Sequence, residues 1–210
     1  GTVIDFGAQR ARNVKPTLAA RFDFGNLGNT PLQSGKVVPG RQKMAVTLDG
    51  SGPAIRQPGR GKLNPAYKPM TIGGWFKTNA ERGVILAQGG QSLGYSLYLK
   101  QGKVQFSVRR QGALTTLVGP PVSLKTWHHV SATIDRDGKA SLRLNGKPAG
   151  EPIAFGFITS RPADGLSIGA DSGSLVGPYE AANGFQGQLE DIRIYWGPVA
   201  ADVLENWSQP

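Results

Sequence analysis

Glu190 and Asp191 are the only adjacent carboxylates among the 14 acids of the chain. Paired carboxylates are the equipment of glycoside hydrolysis, which needs the two groups roughly 5 to 10 Å apart across the scissile bond. As neighbours on one strand they are expected to point to opposite sides of a sheet, where one glycosidic bond cannot lie between them. Glu81, Asp164, Asp171 and Glu180 fall in or near loops, and folding could bring two of those together. No catalytic residue is assigned, and the chain is read as a non-enzyme.

Other chemistry is answered by context. Gly90-Gln91-Ser92-Leu93-Gly94 spells G-x-S-x-G, but a nucleophile elbow needs a helix after it, and the strand pattern YSLYLK follows. No acid lies between Ser92 and the only histidines, His128 and His129, so the order of a serine-hydrolase triad fails too. The two histidines are adjacent in an extended segment and cannot chelate one metal from the same side. One is expected in the core and the other in a hydrogen bond across the sheet. Asp135-Arg136-Asp137-Gly138 lacks the third oxygen ligand and the terminal Glu of a calcium loop and reads as a hairpin turn. The positions two and five after Glu190 are Ile192 and Tyr195, where the retaining glucanases of sandwich type carry the acids of a Glu-x-Asp-x-x-Glu strand.

The elements that would position these groups are strands. From Trp127 to Gly146, WHHVSATIDRDGKASLRLNG, the residues Val130, Ala132 and Ile134 alternate with Ser131 and Thr133, and Asp137-Gly138 turns the chain. Leu142 and Leu144 resume the alternation before Asn145-Gly146 turns it again. A hairpin of this kind has an apolar face that requires a second sheet above it. LAARFDF, KMAVTLDG, MTIGGWFK, GVILAQGG, YSLYLKQGKVQFSV, LSIGA and FQGQLEDIRIYW are further strand blocks, with turns every 8 to 12 residues. ADVLENW after Pro198 is a short helix expected to cap one end. Trp75 and Trp127, in apolar strands, are expected in the core. The predicted fold is all-β, a two-sheet antiparallel β-sandwich of jelly-roll type with a short C-terminal helix. Residues 1–16 form a lead-in segment and residues 17–210 one domain, without a linker-like stretch to divide it.

With no cysteine, disulfides, thiolate nucleophiles and zinc-thiolate sites are excluded. No run approaches the roughly 18 apolar residues of a membrane span. The 24 Lys and Arg against 14 acids give a net charge of +10, which attracts polyanions at long range. The bases are dispersed, Arg109-Arg110 being the densest run, and no basic helix with interleaved aromatics argues for nucleic acid.

LDGSGPAI, MTIGGWFK, WHHVSATID, LRLNGKPAG, LSIGA and GFQGQLEDIRIYWGPVAADVL, in that order and spacing, resemble the successive blocks of the laminin G-like (LamG), concanavalin A-like lectin/glucanase jelly rolls. The resemblance runs from about Leu18 to Trp207. Leu48, Glu190 and Trp196 depart from the family's usual Phe, Asp and small polar residue. The resemblance implies an exported protein, secreted, periplasmic or at the cell envelope, in which this module is joined to a larger parent. It implies carbohydrate binding or adhesion, with a polysaccharide or glycan, acidic ones included, as partner; docking on the parent's own domains is the alternative. Tyr95, Tyr98, Tyr179 and Trp196 are then the candidates for stacking on sugar rings, with Arg109 for charged groups. It further implies that a structural Ca²⁺ can be held by Asp49 and Asp191, with Asp171 a third candidate. Against that stands the reading in which Asp49 stabilises its turn and Asp191 pairs with an arginine.

Overall fold

The computed structural model describes residues 16–209, so the expected lead-in lies, but for Pro16, outside the described residues. The organising hairpin is present as β10 (Trp127–Ile134) and β11 (Lys139–Leu144), paired from Val130 opposite Leu144 to Ile134 opposite Ala140. Its turn is tied by Asp135, whose Oδ1 accepts the backbone N–H of Asp137 at 2.9 Å and of Lys139 at 2.8 Å. Asn145 and Gly146 take the left-handed φ values, 51° and 78°, that a tight two-residue reversal requires.

The remaining strands among the described residues are β1 (Thr17–Phe22), β2 (Lys36–Pro39), β3 (Met44–Asp49), β4 (Ile55–Gln57), β5 (Met70–Thr78), β6 (Gly83–Gly89), β7 (Leu93–Lys100), β8 (Lys103–Arg110), β9 (Ala113–Pro121), β12 (Lys147–Pro148), β13 (Ile153–Ala154), β14 (Leu166–Ile168) and β15 (Gln186–Trp196), with a 3₁₀ turn at Gly61–Leu63 and one α-helix, α1 (Ala201–Trp207). They make two antiparallel sheets. The nine-stranded one runs β12-β11-β10-β5-β15-β3-β2, with β1 also on β15 and β13 on β11; the six-stranded one runs β4-β14-β6-β7-β8-β9. Between them lie Ile72, Phe76, Val130, Ile134, Leu189 and Ile194 from the first sheet and Leu86, Leu97, Phe106 and Ile168 from the second. Each such side chain, removed from water, stabilises the fold by roughly 1.5–3 kcal/mol before ordering costs are subtracted. β2, β4, β9, β12 and β13 have no clear period in the sequence; they are short or lie at sheet edges, where one face stays wet and alternation is weak.

β15 holds the larger sheet together by using one edge twice. Gln186 to Leu189 pair with β3, and Ile192 to Trp196 pair with β1. At the changeover Asp191 takes a φ of 52°, and Asp191 and Ile192 together stand opposite Gly74, a β-bulge. Gly74 gives the bulge room, because an added Cβ would come within 2.6 Å of Ile192 Cδ1 and 3.0 Å of the Asp191 carbonyl and would force Ile192 to shift. The bulge overturns the expectation that Glu190 and Asp191 diverge. Glu190 lies opposite Trp75 on the outer face, and Asp191 meets Arg21 and Arg193, which are paired on that same face.

Three further expectations are corrected on this outer face. α1 does not close an end of the sandwich: it lays Trp207 against the sheet, 4.5 Å from the His129 ring and 4.6 Å beneath the Arg193 guanidinium. Trp127 is half-buried on the outer side, with the Lys77 ammonium 5.3 Å from its ring, and is not core. The histidines do face opposite ways, but both are buried. His128 turns inward onto Phe76 and hydrogen-bonds with the Ser123 carbonyl, whereas His129, between Trp75 and Trp207, has no hydrogen-bond partner on either ring nitrogen among the described residues.

Candidate functional site

The outer face of the six-stranded sheet carries a row of residues that, but for Arg56 at its edge, are small. Arg56, Ser167, Ala87, Ser96, Ser107 and Thr116 stand side by side across β4, β14, β6, β7, β8 and β9. Short side chains leave a trough along this row, and the connection from β14 to β15 folds into it. Val176 is fully buried there, its methyl 2.8 Å from where a Cβ at Gly94 would be.

The covering loop is fastened at several points. Tyr179 donates its hydroxyl to Asp171 Oδ2 at 2.6 Å and lies 2.8 Å from Ser96 Oγ. Asp171 Oδ2 also accepts the Val176 N–H at 2.8 Å. Asn183 accepts the Asp171 N–H at 2.7 Å, Arg109 Nε donates to the Val176 carbonyl at 2.6 Å, and Lys100 Nζ to the Pro178 carbonyl at 2.6 Å. Gly177 permits the fold-back, since a Cβ there would sit 2.2 Å from the Tyr179 ring. Burial raises the carboxyl pKa of Asp171 against the lowering influence of its hydrogen bonds, and burial beside that carboxylate pushes the Tyr179 hydroxyl up. Tyr179 therefore remains a neutral donor.

Where the loop rejoins the sheet it leaves a cleft of about 190 Å³, lined by Arg82, Val84, Leu99, Lys100, Tyr179 and Asn183 among others. One wall is the half-buried Tyr179 ring, and Arg82 and Lys100 bring positive charge to the lining, with Glu180 its one acid. The arrangement can hold a small polar ligand against an aromatic surface with fixed hydrogen-bonding groups; it presents no pair of free carboxylates.

The candidates read from the sequence fall into three groups. Tyr179 and Asp171, expected as a sugar platform and a metal ligand, are brought together as one hydrogen-bonded pair. Arg109 lies beside them but serves as a fastening of the loop. Tyr95, Tyr98 and Trp196 are corrected: all three are buried, so none offers a ring face to a sugar. Tyr95 points into the core and donates to Gln88 Oε1 at 2.8 Å, and burial raises its pKa. Tyr98 faces outward but is roofed by Tyr179, ring centres 4.9 Å apart. Trp196 turns inward, donates its indole N–H to the Lys62 carbonyl and carries the Lys68 ammonium 5.0 Å from its ring. Arg82, Lys100 and Asn183 were not foreseen. The one available signal was their position at strand ends and in the Gly/Pro-rich loop on either side of Tyr179.

Asp49, Asp171 and Asp191 do not fit a shared Ca²⁺. Asp191 lies between Arg21 at 2.7 Å and Arg193, whose hydrogen bonds and charge hold its pKa down against burial; a cation there would meet two guanidinium groups. Asp171 is committed to Tyr179 and Val176. Asp49 is exposed and caps its own turn through the Ser51 N–H at 2.9 Å; hydrogen bonding from the Ser51 side chain and then its N–H keeps the Asp49 pKa low. Among the described residues no three His, Asp or Glu side chains gather as a metal site, whereas Ca²⁺ takes roughly six to eight oxygens. Excess EDTA is accordingly expected to leave the melting temperature unchanged. A fall of several degrees that Ca²⁺ restores, and that Asp49→Asn abolishes, would reinstate calcium.

A family model for the concanavalin A-like lectin/glucanases superfamily matches residues 44–202. Curated proteins yield no match. Among solved structures, the Ruminococcus gnavus IT-sialidase CBM40 bound to α2,3-sialyllactose superposes with a TM-score of 0.67 at 18% identity, covering 92% of this chain and 100% of that one. Domain 4 of AbnA, a GH43 extracellular arabinanase from Geobacillus stearothermophilus in complex with arabinotriose, gives 0.64 at 18% identity, over 93% of this chain and 100% of that one. The binding domain of Paraclostridial Mosquitocidal Protein 1 gives 0.65 at 16% identity over 88% of this chain, which spans 48% of that one. Likeness at these identities is likeness of fold.

Proposed function

Because the chain belongs to the concanavalin A-like lectin/glucanases superfamily, we propose that it is a non-catalytic carbohydrate-binding module of a larger exported protein, taking its glycan in the cleft beside Tyr179. The observation that carries this reading is the loop itself. Hydrogen bonds to the Asp171 carboxylate and from Arg109, Lys100 and Asn183 fix the covering loop, its aromatic wall and the Lys100 ammonium around a concave site, so little ordering of the loop remains for a ligand to impose. The sialyllactose- and arabinotriose-bound neighbours support a glycan as the ligand class. The non-catalytic part of the proposal rests on Glu190 and Asp191, both buried and both fully engaged by other groups of the fold.

A glycan array, read against a charge-matched basic protein, is expected to show binding to a limited set of glycans. Arg82→Ala, at the mouth of the cleft, should weaken that binding at least about fivefold without moving the melting temperature. Uniform weak binding to every glycan, or binding indifferent to Arg82→Ala, would sink the proposal.

A further inference from the structure

The other rim of the six-stranded sheet carries two adjoining clefts of about 240 and 120 Å³, both bordered by Pro58 and Gly165. The first contains Arg56 and the second Arg60 and Arg161. None of these arginines forms an ion pair among the described residues; the Arg56 side chain has one long hydrogen bond, 3.4 Å to the Ser172 carbonyl, and the Arg60 and Arg161 side chains have none among the described residues. All three are exposed. The single acid lining the clefts, Asp164, already accepts the Ser174 N–H at 2.9 Å and hydroxyl at 2.7 Å.

The backbone beneath these guanidinium groups is anchored although their heads are free. The loop bearing Arg60 is tied by Gln88 Nε2 to the Leu63 carbonyl at 2.8 Å and by the Trp196 indole to the Lys62 carbonyl. The loop bearing Arg161 continues into buried Pro162, packed so closely that a Cβ on Gly89 would lie 2.8 Å from it. Gly165 in turn abuts the Gln57 carbonyl, at 2.2 Å from an added Cβ. Two Pro/Gly loops thus converge and hold unpaired arginines over a polar groove. Guanidinium binds planar or tetrahedral oxyanions through paired N–H donors, and fixed loops reduce the ordering cost.

We propose that this groove is a second binding site, for the sulfate esters or uronate carboxylates of an acidic polysaccharide. The proposal extends the reading of the chain as a glycan-binding module to a ligand class and to a site separate from the Tyr179 cleft. Arg60 and Arg161 grip the oxyanion, and Arg56 extends the positive track along the groove.

The test measures dissociation constants for dextran sulfate, polygalacturonate, neutral dextran and duplex DNA at fixed salt. Wild type is compared with Arg60→Gln/Arg161→Gln and with a control of equal charge, Arg136→Gln/Lys139→Gln, altered at the β10–β11 turn. The groove variant should lose at least about tenfold in affinity for dextran sulfate or polygalacturonate, the control less than about twofold. The polymer suffering the larger loss identifies sulfate or carboxylate as the preferred group. Equal losses in the two variants would reduce the effect to net charge and overturn the site. So would duplex DNA bound as tightly with the same sensitivity, or failure of wild type to bind either acidic polymer. Wild type that binds glycans on the array through the Tyr179 cleft but neither acidic polymer overturns this site alone. Loss through Arg60 and Arg161 without Arg82-dependent glycan binding supports it and removes the Tyr179 cleft.

Discussion

Glu190→Ala is expected to lower unfolding free energy by about 3–5 kcal/mol, because it leaves backbone N–H donors without the charged acceptor they share. The carboxylate is 1% exposed and accepts three successive backbone N–H groups from the turn between β2 and β3: Arg41 at 2.5 Å, Gln42 at 3.1 Å and Lys43 at 3.0 Å. A hydrogen bond to a charged group contributes roughly 1.5–3 kcal/mol, and donors left without a partner lose it and their hydration together. Gly40 allows the approach, because a Cβ there would collide with Glu190 Oε2 at 2.1 Å. Urea denaturation monitored by tryptophan fluorescence measures the loss. Glu190→Gln, which keeps an acceptor, should lose less than Glu190→Ala. A midpoint unmoved by Glu190→Ala would mean that the turn is held by something else.

Acid should unfold the protein earlier than its carboxylates alone would cause, and His129 is the reason. Burial and the neighbouring Arg193 hold its folded-state pKa at about 3, against 6.5 for an unperturbed imidazole. Between those values the unfolded chain binds a proton that the folded chain refuses, so stability is full above roughly pH 6.5 and declines as the pH falls toward 3. At about 1.4 kcal/mol per pH unit, the loss from this residue is about 3 kcal/mol on going from pH 7 to pH 4. Asp191, whose pKa is lowered, loses stability in the same direction below its ordinary carboxylate range. Asp171, whose pKa is raised, works the opposite way, resisting ionisation as pH rises. A urea series from pH 7 to pH 4 therefore compares wild type with His129→Phe, in which one proton's worth of slope should vanish. Equal slopes would show that His129 ionises in place.

Strand order and the hairpin were legible because period-two alternation survives where one face is dry and the other wet. The direction of the tyrosines was not. In YSLYLK both faces of β7 are covered, one by the core and one by the loop that carries Tyr179, and a strand dry on both sides reads as continuous apolar sequence. The bulge at Asp191 was equally hidden: Glu190-Asp191-Ile192 looks like regular alternation, and only the changeover from β3 to β1 along β15 decides that Ile192 turns inward while its two acidic neighbours share the outer face. Asp171 and Tyr179 were each recognised separately, but a hydrogen bond between residues inside a Gly/Pro-rich loop has no period to betray it.

The doubling of partners along β15 also determines how the domain answers to force. Thr17 of β1 pairs with Trp196 at the far end of β15, so a chain gripped at those two positions is pulled at adjacent points of one antiparallel ladder. Tension there peels the ladder open one hydrogen bond at a time instead of shearing the whole row at once. Near the inner end of that ladder, where Arg21 faces Arg193, the Arg21–Asp191–Arg193 ion triplet adds resistance at the bulge. β1 is therefore expected to detach first under load, a low-force step that pulling between Thr17 and Trp196 would register, whereas the six-stranded sheet shares no strand with that path.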